Sequence, residues 1–156
     1  MSNVRKLGIC GAVGLLVIAA YGAERPNLTG TWVLSSMKSK NMGFIAGLQA
    51  TVRIRQTEDS LIIDESSAFM GQERRREVHY DLMGKPMQNE GSQGEKSETV
   101  SHWMGDKLVT VWTWEGVSPG TRLMRTETRY LAADGTMTVE AVRGGTPPVI
   151  MVFDKK

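Results

Sequence analysis

Six arginines could do chemistry, depending on which side of a strand they occupy. Arg74, Arg75 and Arg76 stand between Glu73 and Glu77, and Arg122, Arg125 and Arg129 recur along a later segment. In extended chain successive side chains alternate, so Arg74 and Arg76 share a face with Val78, Tyr80 and Leu82. If that face lines an interior, a guanidinium there can hold a carboxylate as a planar two-point fork. If it meets solvent, the run is a charge-paired edge that discourages sheet-to-sheet aggregation. Arg122, on the face of Met124 and Tyr130, poses the same choice.

Other reactive groups are sparse. The two histidines, His79 and His102, are far apart in sequence, and His79 alternates opposite to Val78 and Tyr80. A zinc site needs three or four converging ligands, so no metal site is expected. Met83-x-x-x-Met87 is not dense enough for a thioether copper site. No nucleophile elbow, phosphate loop or zinc-binding helix pattern occurs. The run Gly91-Ser92-Gln93-Gly94 lacks the strand-to-helix context of a phosphate cradle and reads as a flexible loop. The chain is therefore expected to have no catalytic residues and no cofactor.

The aromatic and sulfur side chains suit binding better than catalysis. Trp112 and Trp114 share a strand face with Leu108, opposite Val109 and Val111. Either one of these faces is exposed or the sheet is covered on both sides. Methionine is an adaptable filler of apolar cavities. Trp103, Met104, Trp112, Trp114, Met124 and Tyr130 are the candidate lining of a ligand site, with Arg76 and Arg122 as candidate polar anchors.

Residues 1–22 read as an export signal: Arg5 and Lys6 precede an uncharged stretch over 7–20, and Ala20-Tyr21-Gly22 offers small residues for cleavage after Gly22. That apolar stretch of about 14 residues falls short of the roughly 20 needed to cross a bilayer. Cys10, the only cysteine, lies inside it, so the mature chain would hold neither disulfide nor thiol nucleophile. Removing 22 of the 156 residues leaves 134, enough for one domain with a core, 23–156. Both excess positive charges leave with the signal, since the remainder balances 17 basic against 17 acidic residues. Bulk charge gives no reason to expect nucleic acid as a partner.

The remainder reads as short strands joined by turns. Val52 and Ile54 alternate with Arg53 and Arg55, the period of a sheet with one buried and one wet face. Extended segments are expected near 61–63, 73–82, 97–104, 107–115, 122–131, 136–143 and 149–153, with a weak strand or loop over 89–95. Gly105-Asp106, Ala133-Asp134-Gly135 and Gly144-Gly145-Thr146-Pro147-Pro148 supply turns. Residues 35–50 break the pattern. Phe44, Ile45 and Leu48 could form one helical turn there, either as a plain connector over a barrel end or as a lid over a cavity. Roughly ten strands with hairpin-length connections favour an all-β antiparallel up-and-down barrel, whose closure removes exposed edges. A two-sheet sandwich is the alternative.

The segment Asn27-Leu28-Thr29-Gly30-Thr31-Trp32-Val33-Leu34, with Lys38-Ser39-Lys40 after it, resembles the Gly-x-Trp start of lipocalins and related calycin barrels. It is also similar to small secreted bacterial lipocalin-like proteins. Thr128-Arg129-Tyr130 departs from the second lipocalin motif, with Arg129 where an acid is usual. The strand count is nearer that of fatty-acid-binding barrels. The resemblance implies that Gly30 eases the chain into its first strand and that Trp32 plugs a barrel end. It implies a non-enzymatic barrel, periplasmic or secreted, that binds a small hydrophobic or amphipathic molecule and does not insert in the membrane once its signal is cleaved. Two rival readings are a filled barrel working by its surface on an envelope protein partner, and a hydrolase or isomerase pairing His102 with a carboxylate.

Overall fold

The computed structural model describes residues 24–156; the expected export signal, its cleavage point and Cys10 lie outside them. Ten strands form one antiparallel sheet: β1 Gly30–Leu34, β2 Gln49–Gln56, β3 Ser60–Phe69, β4 Gln72–Asp81, β5 Met87–Glu90, β6 Lys96–Met104, β7 Lys107–Glu115, β8 Arg122–Leu131, β9 Met137–Val142 and β10 Val149–Lys155. Each strand pairs with its sequence neighbours except at one seam, and β1 pairs with β10, with Trp32 opposite Lys155 and Leu34 opposite Phe153. The sheet order runs β4-β3-β2-β1-β10-β9-β8-β7-β6-β5, so β4 and β5 are the two edges. Rolling the sheet brings these edges together into a nearly closed up-and-down barrel. A 3-10 helix, Gly43–Gly47, interrupts the connection from β1 to β2. No helix among the described residues is long and apolar enough to cross a membrane.

The inward side chains follow the period of two. Val52 and Ile54 of β2, Leu61 and Ile63 of β3, and Val78 and Tyr80 of β4 join Leu108, Trp112, Met137, Val139 and Phe153 in one buried cluster. The register explains the contacts: Ile54 sits opposite Ile63, and Ile63 opposite Val78. Gly30 enters β1 with φ +148, a backbone region that disfavours side chains, and a Cβ there would lie 3.1 Å from Lys155 Cε. Trp32 is buried, and its indole Nε1 donates to the Leu28 carbonyl at 2.9 Å. The bond ties the residues before β1 across one barrel end and satisfies the indole N–H away from water.

At the seam there is no ladder between β4 and β5, and side chains replace it. Asn89 Oδ1 accepts the His79 backbone N–H at 2.8 Å, while Asn89 Nδ2 donates to the His79 carbonyl and to Thr99 Oγ1, each at 2.8 Å. Further along, Arg74 pairs with Glu90, and Arg76 Nη1 donates to the Glu90 carbonyl at 3.1 Å. The stretch 89–95, expected to be a weak strand or loop, is thus the last two residues of β5 followed by the turn 91–95.

Candidate ligand-binding cavity

The barrel is not filled. An interior cavity of about 570 Å³ opens toward the 3-10 helix, within the size range of small-molecule sites. Its walls are apolar over much of their area, with Val52, Ile63, Val78, Val139, Met151 and Phe153 among the lining residues. Phe44, Ile45 and Leu48, the group expected to form a helical turn, contribute to the mouth.

The lining also holds a compact ionic cluster. Arg76 of β4 lies directly across from Glu65 of β3, and its Nη2 reaches Glu65 Oε2 at 2.9 Å. Arg125, Glu127 and Arg129 alternate inward along β8. Arg125 Nη2 contacts Glu127 Oε1 at 2.8 Å, and Arg129 Nη2 lies 3.9 Å from Glu127 Oε2. The three arginine side chains are only 9–12% exposed. Isolated buried charge costs several kcal/mol per ion, so such groups persist only when paired. Three guanidinium groups face two carboxylates, leaving one positive charge in excess.

The protonation states follow from this setting. Burial would push the Glu127 carboxyl up, but Arg125, Arg129 and Arg76 outweigh it and hold the carboxyl below its ordinary range. Burial would likewise lower the Arg76 pKa; Glu65, by charge and hydrogen bond, reverses that and raises it. The Tyr80 hydroxyl is pushed up, by burial first and then by Glu127, so it stays neutral. Glu127 is therefore ionised and Tyr80 neutral at physiological pH.

Trp112 anchors the cluster from below. Its ring has the Arg125 guanidinium at 5.1 Å and the Arg76 guanidinium at 5.7 Å, with Tyr80 edge-on at 6.0 Å. The aromatic face lowers the cost of holding two cations together. Arg76 Nε, Arg125 Nε and Trp112 Nε1 are buried and meet no partner at hydrogen-bond geometry among the described residues, although the indole lies close enough to Glu127 to favour its ionised form. Two guanidinium groups thus retain donor capacity inside the barrel.

Of the residues singled out by type, Arg76 lines the cavity, and Trp112 packs beneath its guanidinium. Trp103 and Trp114 are on the inward face and pack against the core, with Trp114 stacked under Arg143 at 5.2 Å. The tryptophan face of β7 is therefore the inner one, and Val109 and Val111 lie outside, half-buried. Arg122, Met124 and Tyr130 are the correction. They occupy the even positions of β8, while the inward positions are the odd ones, Arg125, Glu127 and Arg129. Arg122 and Met124 are exposed, and Tyr130 donates to Glu140 Oε1 at 2.7 Å on the outer surface. Met104, one residue from the inward Trp103, is exposed as well. Three ionic residues on the inner face of β8, Arg125, Glu127 and Arg129, are missing from the candidate lining and anchors. Strict alternation from Leu131 back through Arg129 carried their signal, but charge on that face argued for solvent.

His102 is exposed, and His79 Nε2 lies 2.6 Å from Glu77 Oε1 on the outer face. Neither histidine lines the cavity. Among the described residues no three His, Cys, Asp or Glu side chains converge as a metal site would require.

The fold is a nearly closed, ten-stranded antiparallel up-and-down barrel, and solved structures resemble it along most of its length. They include human cRBP IV, at 20% identity over 84% of this chain and 99% of that one with a TM-score of 0.64. A mutant of the fluorescent protein UnaG matches at 18% identity over 83% and 96% with a TM-score of 0.64. The REP1-NXSQ fatty acid transporter matches at 17% identity over 83% and 96% with a TM-score of 0.63. At these identities the likeness concerns the fold. No protein-family model and no curated relative matches the chain.

Proposed function

We propose that this chain is a non-enzymatic carrier, exported to the periplasm or beyond, that encloses one small amphipathic molecule with an anionic head. The observation carrying this reading is the pairing of an apolar-walled cavity of about 570 Å³ with a buried cluster holding one excess positive charge. The apolar tail of a ligand would gain about 0.8 kcal/mol per methylene removed from water. The head would sit against Arg76 and Arg125, whose Nε groups have donor capacity left. A carboxylate fits a guanidinium fork better than a neutral hydroxyl does. The resemblance to a structure described as a fatty acid transporter supports the same class of ligand. Export is supported by the pattern over residues 1–22.

Native mass spectrometry of the protein purified gently from its producing cell tests this reading. A co-purifying mass that leaves on denaturation is expected, and its identity would name the ligand. A bare protein mass, with unchanged tryptophan fluorescence across a panel of lipids and small hydrophobes, would overturn the carrier.

A further inference from the structure

The strand connections divide between the two barrel ends, and the two sets differ in chemistry. At the cavity mouth lie 40–48, 70–71, 91–95, 116–121 and 143–148, while 35–39 lie beside β10, with the Ser35 N–H on the Val152 carbonyl and the Val152 N–H on Ser39 Oγ; at the opposite end lie 57–59, 82–86, 105–106 and 132–136. Phe44, Met70 and Val117 belong to the mouth set, and each is at least 85% exposed. The opposite end exposes Met83 in a connection and Met104 beside one, each to a lesser degree.

Local structure gives no reason for these apolar tips. Met70 and Gly71 form the two-residue turn between β3 and β4, and Met70 holds φ +50. Such a position favours asparagine, aspartate or glycine, and an exposed methionine gains nothing there from packing. Phe44, at the cavity mouth, has the Phe69 ring at 6.3 Å between centres in a T-shaped arrangement and is otherwise largely exposed. Apolar tips rimming one end of a molecule are the feature of a contact surface.

Charge separates the ends in the same sense. Connections at the mouth carry Lys40 and Arg143 against Glu95 alone, and those at the opposite end carry Glu58, Asp59, Asp106 and Asp134 against Lys85 alone. Lys38 lies away from the rim, paired with Asp154 on the wall, and Lys155 and Lys156 offset part of the far-end acidity, but the polarity survives. We propose that the mouth end docks on an anionic lipid surface, with the apolar tips entering the acyl boundary and Lys40 and Arg143 facing the lipid phosphates. The tips are spread around a rim, and so match a plane better than a peptide in a groove. This docking does not depend on what the cavity holds.

The test uses the 23–156 chain, which contains every core residue and no cysteine. Single Val117→Cys, Met70→Cys and Met83→Cys variants carry a polarity-sensitive fluorophore and are mixed with phosphatidylcholine vesicles, with and without phosphatidylglycerol. Labels at 117 and 70 should brighten and shift to the blue on the anionic vesicles, and the label at 83 should not change. In co-sedimentation, the Met70→Ser, Val117→Ser double variant should bind these vesicles about tenfold more weakly than the parent. High salt should weaken the parent's binding as well. Neither substituted residue lines the cavity, so a soluble ligand should titrate the double variant and the parent alike. A label at 83 that responds as strongly as those at the mouth, a double variant that sediments like the parent, or no sedimentation of the parent with anionic vesicles would each overturn the docking. Loss of ligand titration with vesicle binding intact would instead count against the carrier.

Discussion

The side-chain amide of Asn89 bonds both the N–H and the C=O of His79, each at 2.8 Å, and so supplies across β4 and β5 the two bonds that a paired strand residue would supply. With its third contact, to Thr99 Oγ1, it reaches β6 as well. Asn89 thus acts as a peptide unit at the seam, alongside the contacts of Arg74 and Arg76 with Glu90.

Asn89→Ala removes all three contacts and leaves partly buried groups of His79 unpaired, a loss of about 1–3 kcal/mol. Asn89→Asp keeps an acceptor for the His79 N–H but no donor for its carbonyl, and should be destabilised too. Urea unfolding gives the magnitudes, and amide exchange should quicken first at His79 and its neighbours in β4 and β5.

Trp32 is expected to matter for stability and not for ligand affinity, because it plugs the end remote from the mouth. Trp32→Phe leaves the buried Leu28 carbonyl without its 2.9 Å donor and opens a small void, at a cost of about 2–4 kcal/mol. Unfolding by urea reads the loss, and a ligand titration on the folded variant should give the parent's affinity.

Glu127 is the counter-ion of the interior. Glu127→Gln removes it while keeping its volume, and strands Arg125 and Arg129 with uncompensated charge, which for a broken buried pair costs about 3–5 kcal/mol. The same change raises the positive excess of the cavity. An anionic ligand should therefore restore more thermal stability to Glu127→Gln than to the parent, which melting curves with and without ligand can compare.

The acid limb of stability follows from the same residue. Its folded pKa is lowered, so Glu127 contributes stability that is complete above its unfolded value of about 4.3 and is lost as pH falls through the lower folded value. Urea midpoints of the parent should fall as pH drops below that unfolded value. Those of Glu127→Gln should start lower and fall less steeply over the same interval.

Much of this architecture was legible in the sequence because strands with one wet face announce themselves by alternation. Lys107–Glu115 and Arg122–Leu131 have the expected bounds, and the barrel was expected from the number of strands and the shortness of their connections. The inner face of β8 was harder to read. Its odd positions carry Arg125, Glu127 and Arg129, and its even positions carry Met124 and Tyr130, so hydropathy points the wrong way. Only the register decides it: Arg125 lies opposite the buried Trp112, and Arg129 opposite Leu108 and Val139. Charges that satisfy one another across strands leave no trace in a linear pattern. The seam was equally hidden, since nothing in Met87-Gln88-Asn89-Glu90 says that the asparagine bonds a strand ten residues earlier.

The central claim is that the cavity accepts an apolar tail and the arginines its anionic head. The most direct measurement is a fluorescence titration with a long-chain fatty acid and with its methyl ester, on the parent and on Arg76→Gln and Arg125→Gln. One saturable site is expected, with the acid binding at least about tenfold tighter than the ester in the parent and that advantage shrinking in each variant. Equal affinity for acid and ester in all three proteins, or no saturable binding of either, would contradict it.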